Sequence, residues 1–276
     1  MTTTPTGQGG LPEAVGDVVT ITRRNLKKIL RVPDILVFTL VTPIMFVLLF
    51  AFVFGGAIGA QDVGVNYREF LVPGVFVQTV IFGATFTGYS LAEDLQKGIV
   101  DRFRSLPMSP SAVVTGRTIS DVGINVISLG VMAVTGLAIG WRIRTSVVDA
   151  VIGLLIIVVF AYAISWIMAL VALIVRTPEV VNNASFVVIF PATFLANTFV
   201  STTSMPGPVA TFANWNPVSA VAQAARERFG NLGPDAVVPD VWSLQHPELY
   251  TLMWAAIIVA IFAPLSIRRY QRTASR

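Results

Sequence analysis

Cysteine is absent from the 276-residue chain, and His246 is its single histidine. Disulfides, thiolate metal centres and histidine-rich metal sites are thereby excluded. Charge is scarce too: Asp, Glu, Lys and Arg make up 12% of the residues, about half the roughly 25% of an ordinary soluble domain. The only lysines are Lys27, Lys28 and Lys97, and no G-x-x-x-x-G-K-S/T phosphate cradle contains any of them. The chain alone has no means of hydrolysing ATP through a phosphate loop.

Apolar residues occupy what charge leaves vacant, at 54% of the chain with a mean hydropathy of +0.75. Uncharged runs of about 20 residues recur, each long enough to cross a bilayer core. The composition is that of a multi-pass helical membrane protein. Arginine greatly outnumbers lysine, a bias of GC-rich genomes that points to a bacterial plasma (inner) membrane.

Residues 1–12 are rich in Thr, Gly and Pro without apolar periodicity, and read as a disordered tail. Over 13–32, Val15, Val18, Val19, Thr22, Leu26, Ile29 and Leu30 recur at helical spacing, with Arg23, Arg24, Lys27, Lys28 and Arg31 crowding the second half. Such an amphipathic interfacial helix lies among lipid headgroups, orients the span that follows, or docks on a partner. Residues 33–276 then form one transmembrane domain. Its apolar runs predict six spans, at 35–55, 70–91, 122–139, 150–175, 180–200 and 249–267.

Basic residues set the orientation. With both termini in the cytoplasm, 14 Lys and Arg fall on that side, Arg117 and Arg176 among them, against Arg68, Arg142, Arg144, Arg226 and Arg228 on the other. The same asymmetry explains the net charge of +4 without nucleic acid as a partner. Ser90 and His246 then stand a bilayer apart, which excludes a serine nucleophile with a histidine base. Carboxylates are expected only in loops and at span ends, which argues against a proton relay while leaving sodium coupling open.

Three stretches carry the functional expectation. After the second span comes Glu93 to Pro110, EDLQKGIVDRFRSLPMSP, the densest charge between the first and last spans. It is helix-capable from Glu93 to Leu106, with Gly98 inside and Pro107 as its stop. On the second span Gln78, Phe82, Thr85 and Tyr89 share a stripe. On the fifth, Asn183, Phe186, Phe190 and Asn197 do the same beside Asn182. Polar groups there face protein or a water-filled cavity rather than lipid, and interhelical packing is the plainer use. Finally Asn216 to Gly230 has N-cap, N1 proline and terminal glycine punctuation, with Val218, Val221, Ala222, Ala225 and Phe229 opposite Gln223, Arg226 and Glu227.

Asp94, Gly98, Arg102, Arg104 and Pro107 resemble, in order and spacing, the loop after the second span of ABC type-2 exporter permeases. Tyr67-Arg-Glu-Phe-Leu-Val-Pro73-Gly74 resembles the segment leading into that family's second span. Asn216-Pro217 with Arg226 and Gly230 resembles its extracellular helix. The likeness is greatest to the daunorubicin/doxorubicin resistance branch and covers most of the chain, although residues 231–248 match nothing in it. The resemblance implies a permease that pairs with an ATP-binding cassette subunit, on which ATP and Mg are bound, and with a second permease chain, identical or paralogous. It also implies that Asp94, Gly98, Arg102, Arg104 and Pro107 form the ATPase-coupling helix, and that the helix at Asn216 is re-entrant. The cargo would be a hydrophobic or amphipathic small molecule exported across membrane lipid. Lipid or polysaccharide export, or a non-transporting scaffold, are the alternatives.

Overall fold

The computed structural model describes residues 11–30, 33–54, 66–99, 110–175, 177–233 and 236–273. Among them every regular element is helical. In lipid a backbone must satisfy its own hydrogen bonds, and a helix of Val, Leu, Ile and Phe does so within one segment.

In chain order the helices are α1 (Leu11–Leu30), α2 (Pro33–Leu48), α3 (Tyr67–Gln96), α4 (Pro110–Ala138), α5 (Val147–Val175), α6 (Pro178–Phe194), α7 (Gly207–Trp215), α8 (Pro217–Phe229), α9 (Trp242–Gln245) and α10 (Pro247–Thr273). A π-turn, Leu49–Phe54, continues α2. Four helices, α3, α4, α5 and α10, are long and apolar enough to cross a membrane. With α2 and α6 they coincide with the six predicted apolar runs.

Helix α3 is the axis of the bundle. Of its most apolar window 78% is buried, against 28–39% for the windows of the other three long helices. It touches α2, α4, α5, α6 and α8. One end of the bundle, the cap end, carries α7, α8, α9 and the start of α3. The other, the loop end, carries α1, the connection after Gln96 and the last turns of α10. There Tyr270 packs with Leu91, Val113, Leu173 and Val181.

Two boundaries depart from the hydropathy reading. Helix α4 begins at Pro110, a dozen residues before the predicted span, because Arg117, Ser120 and Asp121 lower the hydropathy of a segment that is nonetheless helical. Arg117 is therefore a buried helix residue rather than part of a cytoplasmic loop, and Asp121 lies within the helix rather than at its end. Helix α6 stops at Phe194, short of Val200, where Asn216 Nδ2 takes the Ala192 and Leu195 carbonyls at 2.7 and 3.1 Å. A side chain from the next element thus replaces the continuing helix as the partner for those carbonyls.

The second half of α1 packs against α4, while Val15 and Val19 of its apolar stripe stay exposed. Ile21 and Asn25 are buried, and Thr22 Oγ1 donates to the Gly116 carbonyl at 3.1 Å. A Cβ on Gly116 or Gly123 of α4 would meet Ile21 at 2.8 Å or Leu26 at 2.9 Å. The glycines let the two backbones close up, as small residues do between membrane helices.

Candidate functional site

A cavity of about 380 Å³ lies between α2, α3 and α6, lined by Thr42, Pro43 and Phe46, by Gln78, Thr79, Phe82, Gly83 and Thr85, and by Phe186, Phe190 and Phe194. Its size falls within the roughly 300–1,000 Å³ range of small-molecule sites. Phe186 and Phe190 are 52% and 39% exposed, so the lining is reachable from outside the protomer. Gln78 is buried, and its Oε1 accepts from no described residue. The cavity thus offers aromatic faces and one unused acceptor, suited to a flat, largely apolar molecule with a donor.

Phenylalanines extend the lining toward the cap end. Ring centroids lie 6.2 Å apart for Phe82–Phe186, 5.1 Å for Phe186–Phe190, 4.1 Å for Phe190–Phe194 and 5.2 Å for Phe194–Phe199. Phe50 stacks on Phe199 at 4.5 Å and closes the series. Of the predicted stripes, Gln78, Phe82, Thr85, Phe186 and Phe190 meet at this cavity. Tyr89, Asn182 and Asn183 are exposed and lie outside its lining. Asn197 lies elsewhere: its backbone N–H is held by Ser219 Oγ at 3.0 Å, and its carbonyl accepts from Arg226. Sequence reasoning missed Thr42, Pro43 and Phe46 because the first span showed no polar stripe; Pro43 within it was the one available signal.

Helix α8 lies at the cap end, packed on α3, α5 and α10. Asn216 caps it by accepting from the Val218 N–H at 2.9 Å, Pro217 occupies its first position, and Gly230 ends it at φ +69°. The side opposite the apolar face is itself largely enclosed, since Gln223 is buried and Arg226 is 0% exposed. Arg226 donates to the carbonyl oxygens of Phe70 (2.8 Å), Asn197 (2.7 Å) and Thr198 (3.0 Å), and its guanidinium lies 3.6 Å from the Phe70 ring centroid. Asn197 and Thr198 follow the end of α6, outside its helical ladder, whereas the Phe70 carbonyl lies in the first turns of α3 and takes Arg226 as an added donor. Gly74 is required beside them, for a Cβ there would lie 2.2 Å from the Thr198 oxygen.

The rest of the segment leading into α3 is anchored as closely. Tyr67 Oη donates to the Phe199 carbonyl at 3.0 Å, and Arg68 to that of Ile139 at 2.9 Å. Glu69 takes a forked pair from Arg144 at 2.8 and 2.6 Å, which raises the Arg144 guanidinium above its ordinary value. Arg228 bridges Glu248 and Asp149, and the hydrogen bond to Glu248, then that to Asp149, raises its pKa as well. Trp141 Nε1 donates to Asn231 Oδ1 at 2.7 Å, giving a role to the first residue of the stretch that matched no motif.

At the loop end Asp94 is buried, while Gly98 adopts φ +64° just past the end of α3. Gly98 therefore follows the end of α3, where the Lys97 and Gly98 N–H groups close on the Glu93 and Leu95 carbonyls at 2.9 and 3.2 Å; the rest of the expected helical segment, to Leu106, falls largely outside the described residues. Arg102, Arg104 and Pro107 lie outside the described residues. Ser90 sits at the loop end and His246 at the cap end beside Trp242, which keeps nucleophile and base apart.

A profile of the ABC-2 type transporter family matches residues 17–229. The chain is 34% identical over 259 residues, 94% of its length and 87% of the relative's, to the daunorubicin resistance ABC transporter permease protein DrrB1 of Streptomyces coeruleorubidus. It is 26% identical over 231 residues, 83% of its length and 79% of the relative's, to the probable doxorubicin resistance ABC transporter permease protein DrrC of Mycobacterium tuberculosis. A second Mycobacterium tuberculosis protein, the doxorubicin resistance permease DrrB, is 29% identical over 125 residues, covering 45% of this chain and 43% of its own.

Proposed function

The chain belongs to the ABC-2 type transporter family, and from that premise we propose that it is the permease subunit of a bacterial exporter of hydrophobic or amphipathic compounds. It is a multi-pass membrane protein homologous to drug-resistance permeases, and the family implies an ATP-binding partner and a dimeric arrangement. The finer reading has six spans with both termini in the cytoplasm, the cap end outside and α8 re-entrant. Two permease chains in the plasma membrane stand on two ATP-binding subunits that hold ATP and Mg.

The observation that carries the export reading is the phenylalanine-lined cavity between α2, α3 and α6. Its rings stack on a planar cargo, and Gln78 meets a polar group on it. Among the described residues no charged side chain lines the cavity, which disfavours a strongly anionic cargo and a polysaccharide alike. The 93–110 connection links this cavity to the ATPase, since α3 ends at Gln96 and α4 resumes at Pro110. ATP closes the motor subunits, the connection moves, and the two states differ in their affinity for cargo, as any such coupling requires.

The test is ATP-dependent accumulation of daunorubicin in inverted vesicles holding the chain and its ATP-binding subunit. Phe186→Ala with Phe190→Ala is expected to change the ranking among planar drugs. An unaltered ranking removes the cavity from the path.

A further inference from the structure

Between α3 and α4, toward the loop end, lies a charged cluster that the cargo path does not use. Arg117 and Asp121, one turn apart on α4, are 4% and 2% exposed and form an ion pair at 3.4 Å. Thr87 Oγ1 on α3 donates to Asp121 Oδ2. The Arg117 guanidinium reaches back to α3, 3.5 Å from the Phe86 carbonyl and 5.3 Å from the centroid of the Phe86 ring. Both members of the pair therefore hold α3.

Depth makes this cluster expensive. Helix α4 has 29 residues, which gives roughly 43 Å against a hydrocarbon core of about 30 Å. Centred across that core, Asp121 lies on the order of 10 Å inside it. A buried ion pair there is no more stabilising than well-packed apolar side chains, and this one is incompletely satisfied, since Arg117 Nε donates to no described residue. Stability alone does not account for it.

Location supplies a reason. Helices α3 and α4 border the 97–109 connection, and the cluster is a charged tie between them toward that end. An adjoining face of α4 carries Gly116, Ser120 and Gly123 against α1, where Asn25 Nδ2 meets Ser120 Oγ at 3.4 Å. Cargo-facing residues of α3, Phe82 and Thr85, lie within two turns of Thr87.

We propose that the Thr87–Arg117–Asp121 cluster ties α3 to α4 so that the helices on either side of the connection move as one unit, transmitting its displacement to the cavity. The three are positioning residues, since none touches cargo or nucleotide. The proposal rests on the transporter reading above and names the joint through which that transporter is driven.

The test uses the permease with its ATP-binding subunit in proteoliposomes. ATP hydrolysis and daunorubicin movement are measured on one preparation, and the spacing of spin labels at Leu95→Cys and Ser111→Cys on another, a clean pair in a chain without native cysteine. Asp121→Asn and Arg117→Gln are expected to keep hydrolysis within twofold while drug moved per ATP falls at least tenfold and the label distance broadens. Thr87→Val gives about a threefold fall. The charge swap Arg117→Asp/Asp121→Arg restores at least half of the coupling and narrows the distance again. Single variants with wild-type drug per ATP and an unchanged distance overturn the proposal, as does a swap no better than either single change. If the wild-type complex hydrolyses ATP but moves no daunorubicin, the cargo reading fails and the distances decide this one: broadening in the single variants supports the tie, and no broadening ends it.

Discussion

The two ends of the bundle are held by opposite means. At the cap end arginines are spent on fixed acceptors: Arg226 on three backbone carbonyls, Arg144 on Glu69, and Arg228 on Asp149 and Glu248. At the loop end the ties include small-residue contacts between α1 and α4, the packing around Tyr270, the Arg117–Asp121 pair with Thr87, and the exposed Lys97–Glu93 bridge. An end locked to carbonyls has no second arrangement of similar energy. An end of closely packed glycines and a single internal ion pair can shift as a block. The contrast assigns rigidity to the cap and movement to the loop, and the predictions below test it from the largest effect downward.

Arg226→Ala has the largest expected effect. It leaves the buried Asn197 and Thr198 carbonyls without this donor, each costing about 1–3 kcal/mol when unpaired, so a loss of at least about 2 kcal/mol is expected. Thermal unfolding in detergent measures it, and Gly74→Val, which drives a side chain into the Thr198 carbonyl, should behave alike. A small effect from either means that the cap is not the rigid end. Next comes Arg102→Glu with Arg104→Glu, residues outside the described region. Here the midpoint of unfolding stays where it was, while drug moved per ATP falls on the order of tenfold, the scale of about 1.4 kcal/mol of lost coupling. Equal losses of stability and transport would make the two ends alike.

Much of this contrast was legible in the residues. Capping chemistry at Asn216, Pro217 and Gly230 marked α8 to the residue, because those side chains act on their own backbone. The Tyr67–Gly74 segment was recognised as a unit, and its Tyr, Arg, Glu, Phe and Gly each secure a different neighbour. What stayed hidden depended on partners distant in sequence. Arg226 reads as a polar-face residue until the carbonyls of Phe70, Asn197 and Thr198 are brought to it. Arg117 and Asp121 read as the charged flank of a span, since hydropathy averages cannot distinguish a flank from an internal ion pair. The cavity was half legible: α3 and α6 showed mixed aromatic and polar stripes, whereas α2 contributes through Pro43 and Phe46, apolar residues in an apolar run.

Between the two ends lies the cavity, where the comparison is sharpened by a smaller effect. Phe186→Ala and Phe190→Ala remove partly exposed rings, so folding should be little changed and the cost should fall on recognition. Loss of one stacking contact is worth about 0.5–1.5 kcal/mol, hence a threefold to tenfold change in the apparent affinity for a planar drug. Phe199→Ala, a buried ring packed on Phe50 and Phe194, should instead destabilise the protein, as a cap-end change does.

Lys97→Ala has the smallest expected effect. Lys97 follows the last turn of α3 and donates to Glu93 Oε1 at 2.7 Å, and this hydrogen bond raises its pKa above the ordinary lysine value. The side chain is 58% exposed, however, and water with salt screens such a pair. What holds the end of α3 is instead backbone geometry: the left-handed Gly98 and the carbonyls of Glu93 and Leu95. Lys97→Ala should therefore leave both the unfolding midpoint and drug moved per ATP unchanged within error, whereas Gly98→Val, forced to φ +64°, should perturb coupling first. If the lysine proves the more sensitive of the two, the helix end is held by charge, and the loop end is built more like the cap than the geometry indicates.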